Sequence, residues 1–209
     1  MMKIKICGLK EAENIAEITA LNPDFVGFIC YPPSPRFIGK HLKQADFIQA
    51  IPKSVKKVGV FVNESISTII SYQGQLGLDF IQLHGNESPE DCQLLQQRGL
   101  TIIKAFAVDN QFDFEKLFSY EAHCAYFLFD TPTIAYGGSG RKFDWEVLTN
   151  YKGSLPFFLS GGIAISDIPE IKQLSFKKMV GIDVNSKLEL APGLKCINSA
   201  KEIIQLIKN

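Results

Sequence analysis

Eight short runs of apolar, mostly β-branched residues recur along this chain at roughly 25-residue intervals, and each gives way to a stretch with helical spacing. The runs are Lys3–Cys7, Phe25–Ile29, Lys57–Val62, Asp79–Leu83, Thr101–Phe106, Ala125–Phe129, Leu155–Leu159 and Lys178–Ile182. A parallel strand covered on both faces reads as a continuous apolar run rather than an alternation. Val58-Gly59-Val60-Phe61-Val62 and Tyr126-Phe127-Leu128-Phe129 read in that way. Connections between parallel strands cross right-handed and join neighbours. Eight strand–helix units therefore predict an α/β chain folded as a single (β/α)8 TIM barrel over residues 1–209. An open doubly wound sheet is the main competitor. It calls for a glycine-rich loop after strand 1, where this chain has Cys7-Gly8-Leu9-Lys10.

The intervening segments carry helix signals. In Ser65–Leu76, Ile66, Ile69, Ile70 and Leu76 fall on one face, with Ser67, Ser71, Gln73 and Gln75 turned to water. Ser88-Pro89-Glu90-Asp91 opens a helix with an N-cap serine, a proline in the first turn and acids at the positive end of the dipole. That helix is expected to stop at Gly99. Ser166–Glu170 opens another. A last one near Asn198–Lys208 puts Ile203, Ile204 and Ile207 on its inner side.

Bulk properties exclude several classes of function. Twenty-two basic and 22 acidic residues cancel, without a block of like charge, which argues against nucleic acid and anionic membranes as partners. The longest apolar runs are too short for a bilayer. The N-terminal residues lack the pattern of a secretory signal, so a cytoplasmic location is expected. The five cysteines (Cys7, Cys30, Cys92, Cys124 and Cys196) show no CxxC spacing, so neither a disulfide framework nor a zinc ribbon is expected. No metal and no cofactor is called for. The expected partner is a phosphorylated small molecule, and monomer and homodimer both stay open.

A barrel directs the search to the C-terminal ends of its strands, whose side chains converge on one mouth. Cys7 ends strand 1 and is followed by a glycine; a thiol there with a lowered pKa would serve as base or nucleophile. Asp130 ends strand 6 after Phe127-Leu128-Phe129. A carboxyl at an apolar strand end is costly without a partner or a task, and its flanks suggest an acid role. The alternative is that it caps the following loop. Arg36 closes a loop stiffened by Pro32, Pro33 and Pro35, which suits a guanidinium that binds a carboxylate. Alternation puts Gln82 and His84 on the same side of strand 4, where they are expected to contact substrate. Gly161-Gly162 follows strand 7, and Asp183-Val184-Asn185-Ser186 ends strand 8. In this fold a phosphate often sits between those two loops, held by backbone N–H groups. Tyr136–Arg141 follows strand 6; Gly138, Ser139 and Gly140 there are expected to add to the phosphate cradle.

Together these segments resemble the phosphoribosylanthranilate isomerase family. The stretches that carry the likeness are Lys5-Ile6-Cys7-Gly8, Ser34-Pro35-Arg36, Gln82-Leu83-His84-Gly85, Asp130-Thr131, Gly137-Gly138-Ser139-Gly140 with Phe143-Asp144-Trp145, Leu159-Ser160-Gly161-Gly162, and Gly181–Ser186 with Pro192-Gly193. The resemblance implies an Amadori rearrangement in tryptophan biosynthesis, with Cys7 as general base, Asp130 as general acid and Arg36 on the anthranilate carboxylate. It implies phosphate binding by the glycine pair and the last strand's loop. The chain departs from the family at Asn185-Ser186-Lys187, where Ser-Ser-Gly is usual, and at Cys196, where an aspartate often follows the lysine. Three other readings compete. A histidine-pathway barrel isomerase resembles this family in fold but carries an aspartate at the position of Cys7. A barrel that only binds a phosphometabolite needs neither Cys7 nor Asp130. A thiol redox protein lacks a resolving cysteine nearby.

Overall fold

The computed structural model describes residues 2–39, 45–132 and 144–209, so the expectations for Gly138, Ser139 and Gly140 lie outside the described residues. The chain runs β1 (Lys3–Ile6), α1 (Ala12–Ala20), β2 (Phe25–Ile29), α2 (Ala45–Gln49), β3 (Lys56–Phe61), α3 (Ile66–Leu76), β4 (Phe80–Leu83), α4 (Pro89–Gln97), β5 (Ile102–Ala107), β6 (Tyr126–Asp130), β7 (Phe157–Leu159), α5 (Ile168–Ile171) and β8 (Met179–Val184). A hairpin of β9 (Glu189–Ala191) and β10 (Leu194–Lys195) follows, and α6 (Ile197–Lys208) ends the chain. The first eight strands form a closed barrel in sequence order, sealed by parallel pairing of β1 with β8.

Alternate residues of each strand face opposite ways, and this divides the core in two. Phe25, Val58, Ile103, Ala105, Leu128 and Phe158 fill the barrel interior. Their neighbours in sequence, among them Val26, Phe28, Phe61, Ile102, Phe127, Phe129, Phe157 and Leu159, pack outward under the helices. Above the inner layer sit Cys7, Ile29 and Val60, the apolar floor of the mouth. Strand β1 departs from the aliphatic rule. Ile4 and Ile6 face outward, while its inward face carries Lys3, Lys5 and Cys7. Lys3 ends over the rings of Phe25 and Tyr126 and donates to the Tyr126 hydroxyl at 3.2 Å.

Local signals account for most helix boundaries. The Ser88 hydroxyl accepts from Asp91 N at 3.2 Å and the Asp91 carboxylate accepts from Ser88 N at 2.8 Å, a reciprocal cap that fixes the start of α4. Ser65 caps α3, and Gly77 ends it in the left-handed conformation at φ 59°. Within α3, Ile69 and Leu76 are buried, but Ile70, expected on the same face, is exposed. Its place is taken by Tyr72, stacked edge-on against Phe61 at 5.8 Å. In α6, Ile203, Ile204 and Ile207 are buried as expected.

The segments after β5 and β6 are 3₁₀ turns, Glu115–Tyr120 and Trp145–Asn150, where α-helices were expected. In both, an aspartate just upstream (Asp113, Asp144) accepts a backbone N–H two residues on, and only six residues follow before the chain must turn back. Segments this short settle into the tighter helix. Among the described residues no helix is long and apolar enough to cross a membrane.

Candidate active site

A cavity opens at the C-terminal end of the barrel. Cys7, Gln82, His84, Asp130, Gly161, Gly162, Asp183, Asn185 and Ser186 all line it, together with Ile29, Val60 and Lys187. Residues 178 positions apart in sequence thus share one wall, because β1 and β8 are neighbours.

Cys7 stands at the top of β1, its N–H bonded to Val184 O at 2.9 Å. The sulfur lies over β2, where a Cβ on Gly27 would come within 2.6 Å of Sγ. Below it, Lys5 is fully buried and donates to the Asp183 carboxylate at 2.9 Å. Burial pushes the Cys7 thiol above its ordinary value, with Asp183 adding to the rise; Lys5 and Lys195 pull the other way without cancelling it. The expectation of a lowered Cys7 pKa is therefore corrected. Desolvation of a nearly enclosed sulfur outweighs the cations around it. Burial also pushes Asp183 up against the pull of Lys5. Burial pulls the Lys5 ammonium down, yet its pairing with the Asp183 carboxylate, with the Cys7 sulfur adding to it, outweighs burial and holds Lys5 above the usual lysine value.

Asp130 faces the cavity from β6. One carboxylate oxygen accepts from Thr131 N at 2.8 Å and the other lies 3.3 Å from His84 Nε2. Asp130 thus caps its loop and lines the mouth at once. Gln82 Nε2 and His84 Nδ1 are 2.8 Å apart, which confirms that the two share a face of β4. Buried Gln82 Oε1 has no hydrogen-bond partner among the described residues.

Two strands round the barrel from Cys7, Gly161 and Gly162 turn the chain after β7 at φ 102° and 64°. A Cβ on Gly161 would strike Thr131 Oγ1 and lie 3.1 Å from Asp130 Oδ1, so the turn needs glycine for both backbone angle and space. After β8 the chain passes Asn185 into the 3₁₀ turn Ser186–Leu188. Asp183, grouped in sequence with this phosphate end, has its carboxylate tied to Lys5 beneath Cys7 instead.

Arg36 does not line the cavity. Its Nε and Nη2 donate to Glu189 at 2.9 and 2.7 Å, and Lys195 Nζ donates to the same carboxylate at 2.7 Å. Lys195 also reaches Asn185 Oδ1 at 2.6 Å, while Asn14 of α1 clamps its backbone on both sides, at 2.9 and 2.8 Å. Burial alone would push Glu189 up; its bonds to Arg36 and Lys195 outweigh burial and hold it below the usual glutamate value. Sequence reasoning passed over Lys5, Glu189 and Lys195. Lys5 carried a signal, since it alternates with Ile4 and Ile6 onto the face of Cys7. Glu189 and Lys195 depend on the hairpin and had none.

The model of the N-(5'phosphoribosyl)anthranilate (PRA) isomerase family matches residues 4–206. The chain belongs to the phosphoribosylanthranilate isomerase family. Its relatives include an N-(5'-phosphoribosyl)anthranilate isomerase from Parabacteroides distasonis, 47% identical over 206 residues, 99% of this chain and 93% of that one. The phosphoribosyl anthranilate isomerase structure from Thermotoga maritima superposes with a TM-score of 0.86 at 33% identity, covering 100% of this chain and 99% of the other. A phosphoribosyl anthranilate isomerase solved in complex with reduced 1-(o-carboxyphenylamino)-1-deoxyribulose 5-phosphate superposes at 0.82 with 30% identity, over 100% and 99% of the two chains. The barrel shared with these isomerases is the one described above.

Proposed function

We propose that the mouth of this barrel carries out the Amadori rearrangement of N-(5-phosphoribosyl)anthranilate to 1-(2-carboxyphenylamino)-1-deoxyribulose 5-phosphate, in tryptophan biosynthesis, with Asp130 as general acid and Cys7 as general base. The reaction is that of the family. The observation that carries the residue assignment is the meeting of Cys7, from β1, and Asp130, from β6, in one cavity beside a glycine turn.

The steps follow from those positions. Protonated Asp130 gives its proton to the ribose ring oxygen, the C1′–O bond breaks, and the nitrogen lone pair forms the iminium. Cys7 sulfur removes the proton on C2′; the released electron pair forms C1′=C2′ and neutralises the nitrogen. The enol so formed tautomerises to the ketone, its hydroxyl proton exchanged for one on C1′. Acid and base must start in opposite protonation states. The raised thiol pKa makes the thiolate a strong base, and the cationic iminium created by ring opening acidifies the C2′ proton that the sulfur removes. Gln82 and His84 contact the substrate, Gln82 through its unpartnered Oε1.

Gly161, Gly162, Asn185 and Ser186 hold the phosphate, joined by Gly138, Ser139 and Gly140. The exposed Lys187, where the family has glycine, adds a positive charge at that rim. Asp183, an acid beneath the sulfur, contributes charge on the Cys7 side rather than a phosphate contact. Arg36, aimed by Glu189, binds the anthranilate carboxylate at the edge of the mouth.

Asp130→Asn is expected to lower kcat by about 10²-fold or more, the usual scale of lost acid catalysis, with Cys7→Ala losing at least as much. Steady-state assays of the ketose product check both. Parental turnover by either variant overturns the corresponding role.

A further inference from the structure

Lys5 and Asp183 form a buried ion pair directly beneath Cys7, and acid–base chemistry at Cys7 and Asp130 does not itself require them. Lys5 is inaccessible to solvent, Asp183 nearly so, and their contact is 2.9 Å. Replacing such a pair by apolar residues is often neutral or favourable to stability, so its presence inside the barrel points to work beyond folding. Three observations give that work a direction. Lys5 and Cys7 are two apart on one strand, hence on one face, and the Lys5 ammonium interacts with the sulfur as well as with Asp183. The sulfur occupies the space that the absent side chain of Gly27 leaves over β2, a place a Cβ there would take from it. The other charged or titratable groups that act on this corner are Lys195 from β10, Cys30 after β2, and Asp130 with His84, which act on Asp183 from the far wall.

We infer that Lys5 is a positioning residue for the base: its ammonium, shared between the Asp183 carboxylate and the Cys7 sulfur, stabilises the thiolate, and Asp183 opposes it. This rests on Cys7 as the base of the proposed reaction. Before turnover the thiol proton leaves to water through the mouth. The thiolate then faces Lys5, so a buried cation offsets the cost of a buried anion. When sulfur takes the C2′ proton, Lys5 returns to Asp183 as its principal anion. The enzyme resets when that proton passes back to the Asp130 carboxylate through solvent.

The test reads the thiol rather than the reaction. Iodoacetamide alkylation of Cys7 in the full chain, followed by mass spectrometry of its peptide across a pH series, gives the midpoint of thiolate formation. Lys5→Met is expected to raise the midpoint by about one pH unit or more, the scale of a lost neighbouring charge, and Lys5→Arg to restore most of the shift. Asp183→Asn, which keeps the shape of the side chain, is expected to lower the midpoint. Circular dichroism establishes that each variant is folded; if Lys5→Met does not fold, Lys5→Arg and the opposite-sign prediction for Asp183→Asn still decide. An unmoved or lowered midpoint in folded Lys5→Met, or a raised one in Asp183→Asn, overturns the inference. Full activity in Cys7→Ala would instead refute the base assignment, and the alkylation result would stand apart from it.

Discussion

Gly27 sets where the sulfur of Cys7 can stand. It lies on the inner face of β2, and the methyl group of an alanine there would sit 2.6 Å from Sγ, closer than any packed carbon tolerates. Both flanking strands are locked in the barrel, so the sulfur is the atom that moves. Gly27→Ala is therefore expected to lower kcat/KM by about tenfold or more, since small misplacements of a reacting group are expensive; steady-state kinetics and a melting curve separate this from unfolding. At this scale the sequence was informative where alternation applied. Alternation placed Gln82 with His84, and the same rule puts Lys5 on the face of Cys7. It could not supply Asp183, whose place beside Lys5 exists only because the barrel closes. Nor could it reveal that Arg36 already holds a carboxylate, because Glu189 lies 153 residues away on a hairpin with no local signature.

The hairpin of β9 and β10 is the element that joins the two ends of the proposed substrate site. Glu189 in its first strand holds Arg36, and Lys195 in its second holds both Glu189 and Asn185. Glu189→Gln is expected to raise KM several-fold while leaving kcat nearly unchanged, and to do little further harm once Arg36 is Ala, because the glutamate acts through the arginine. Kinetics of the two single variants and the double variant check this; additive losses would count against it. Elsewhere the cap of α4 offers a plain measure of local stability. Ser88→Ala removes the bond to Asp91 N and is expected to cost about 1 kcal/mol, read from urea unfolding. The strands were legible to within two residues because apolar runs of that length have few other uses. The outer segments after β5 and β6 were not, since α- and 3₁₀-helices both repeat apolar residues at about the same spacing.

For the molecule as a whole, pH bears on stability through groups whose folded values are displaced. Glu189 is held below the ordinary glutamate value, so it contributes stability above that value and loses it as pH falls toward its folded pKa. Lys5 is held above the ordinary lysine value, so its contribution is complete below that value and is lost as pH rises through the folded pKa. Melting temperature is expected to drop in acid below the usual glutamate range, and less steeply in Glu189→Gln. Thermal scans across pH 3–6 on both proteins test the first window.

The seam between β1 and β8 also bears on how the chain is made. Lys5 emerges from the ribosome well before the aspartate that balances it, which comes 178 positions later. Until Val184 has cleared the exit tunnel, that lysine and its neighbouring thiol have no barrel wall to close against. All eight barrel strands must be out before the nascent polypeptide can hold its substrate, and a truncation within β8 would release a product that is not merely weakened but empty at its centre.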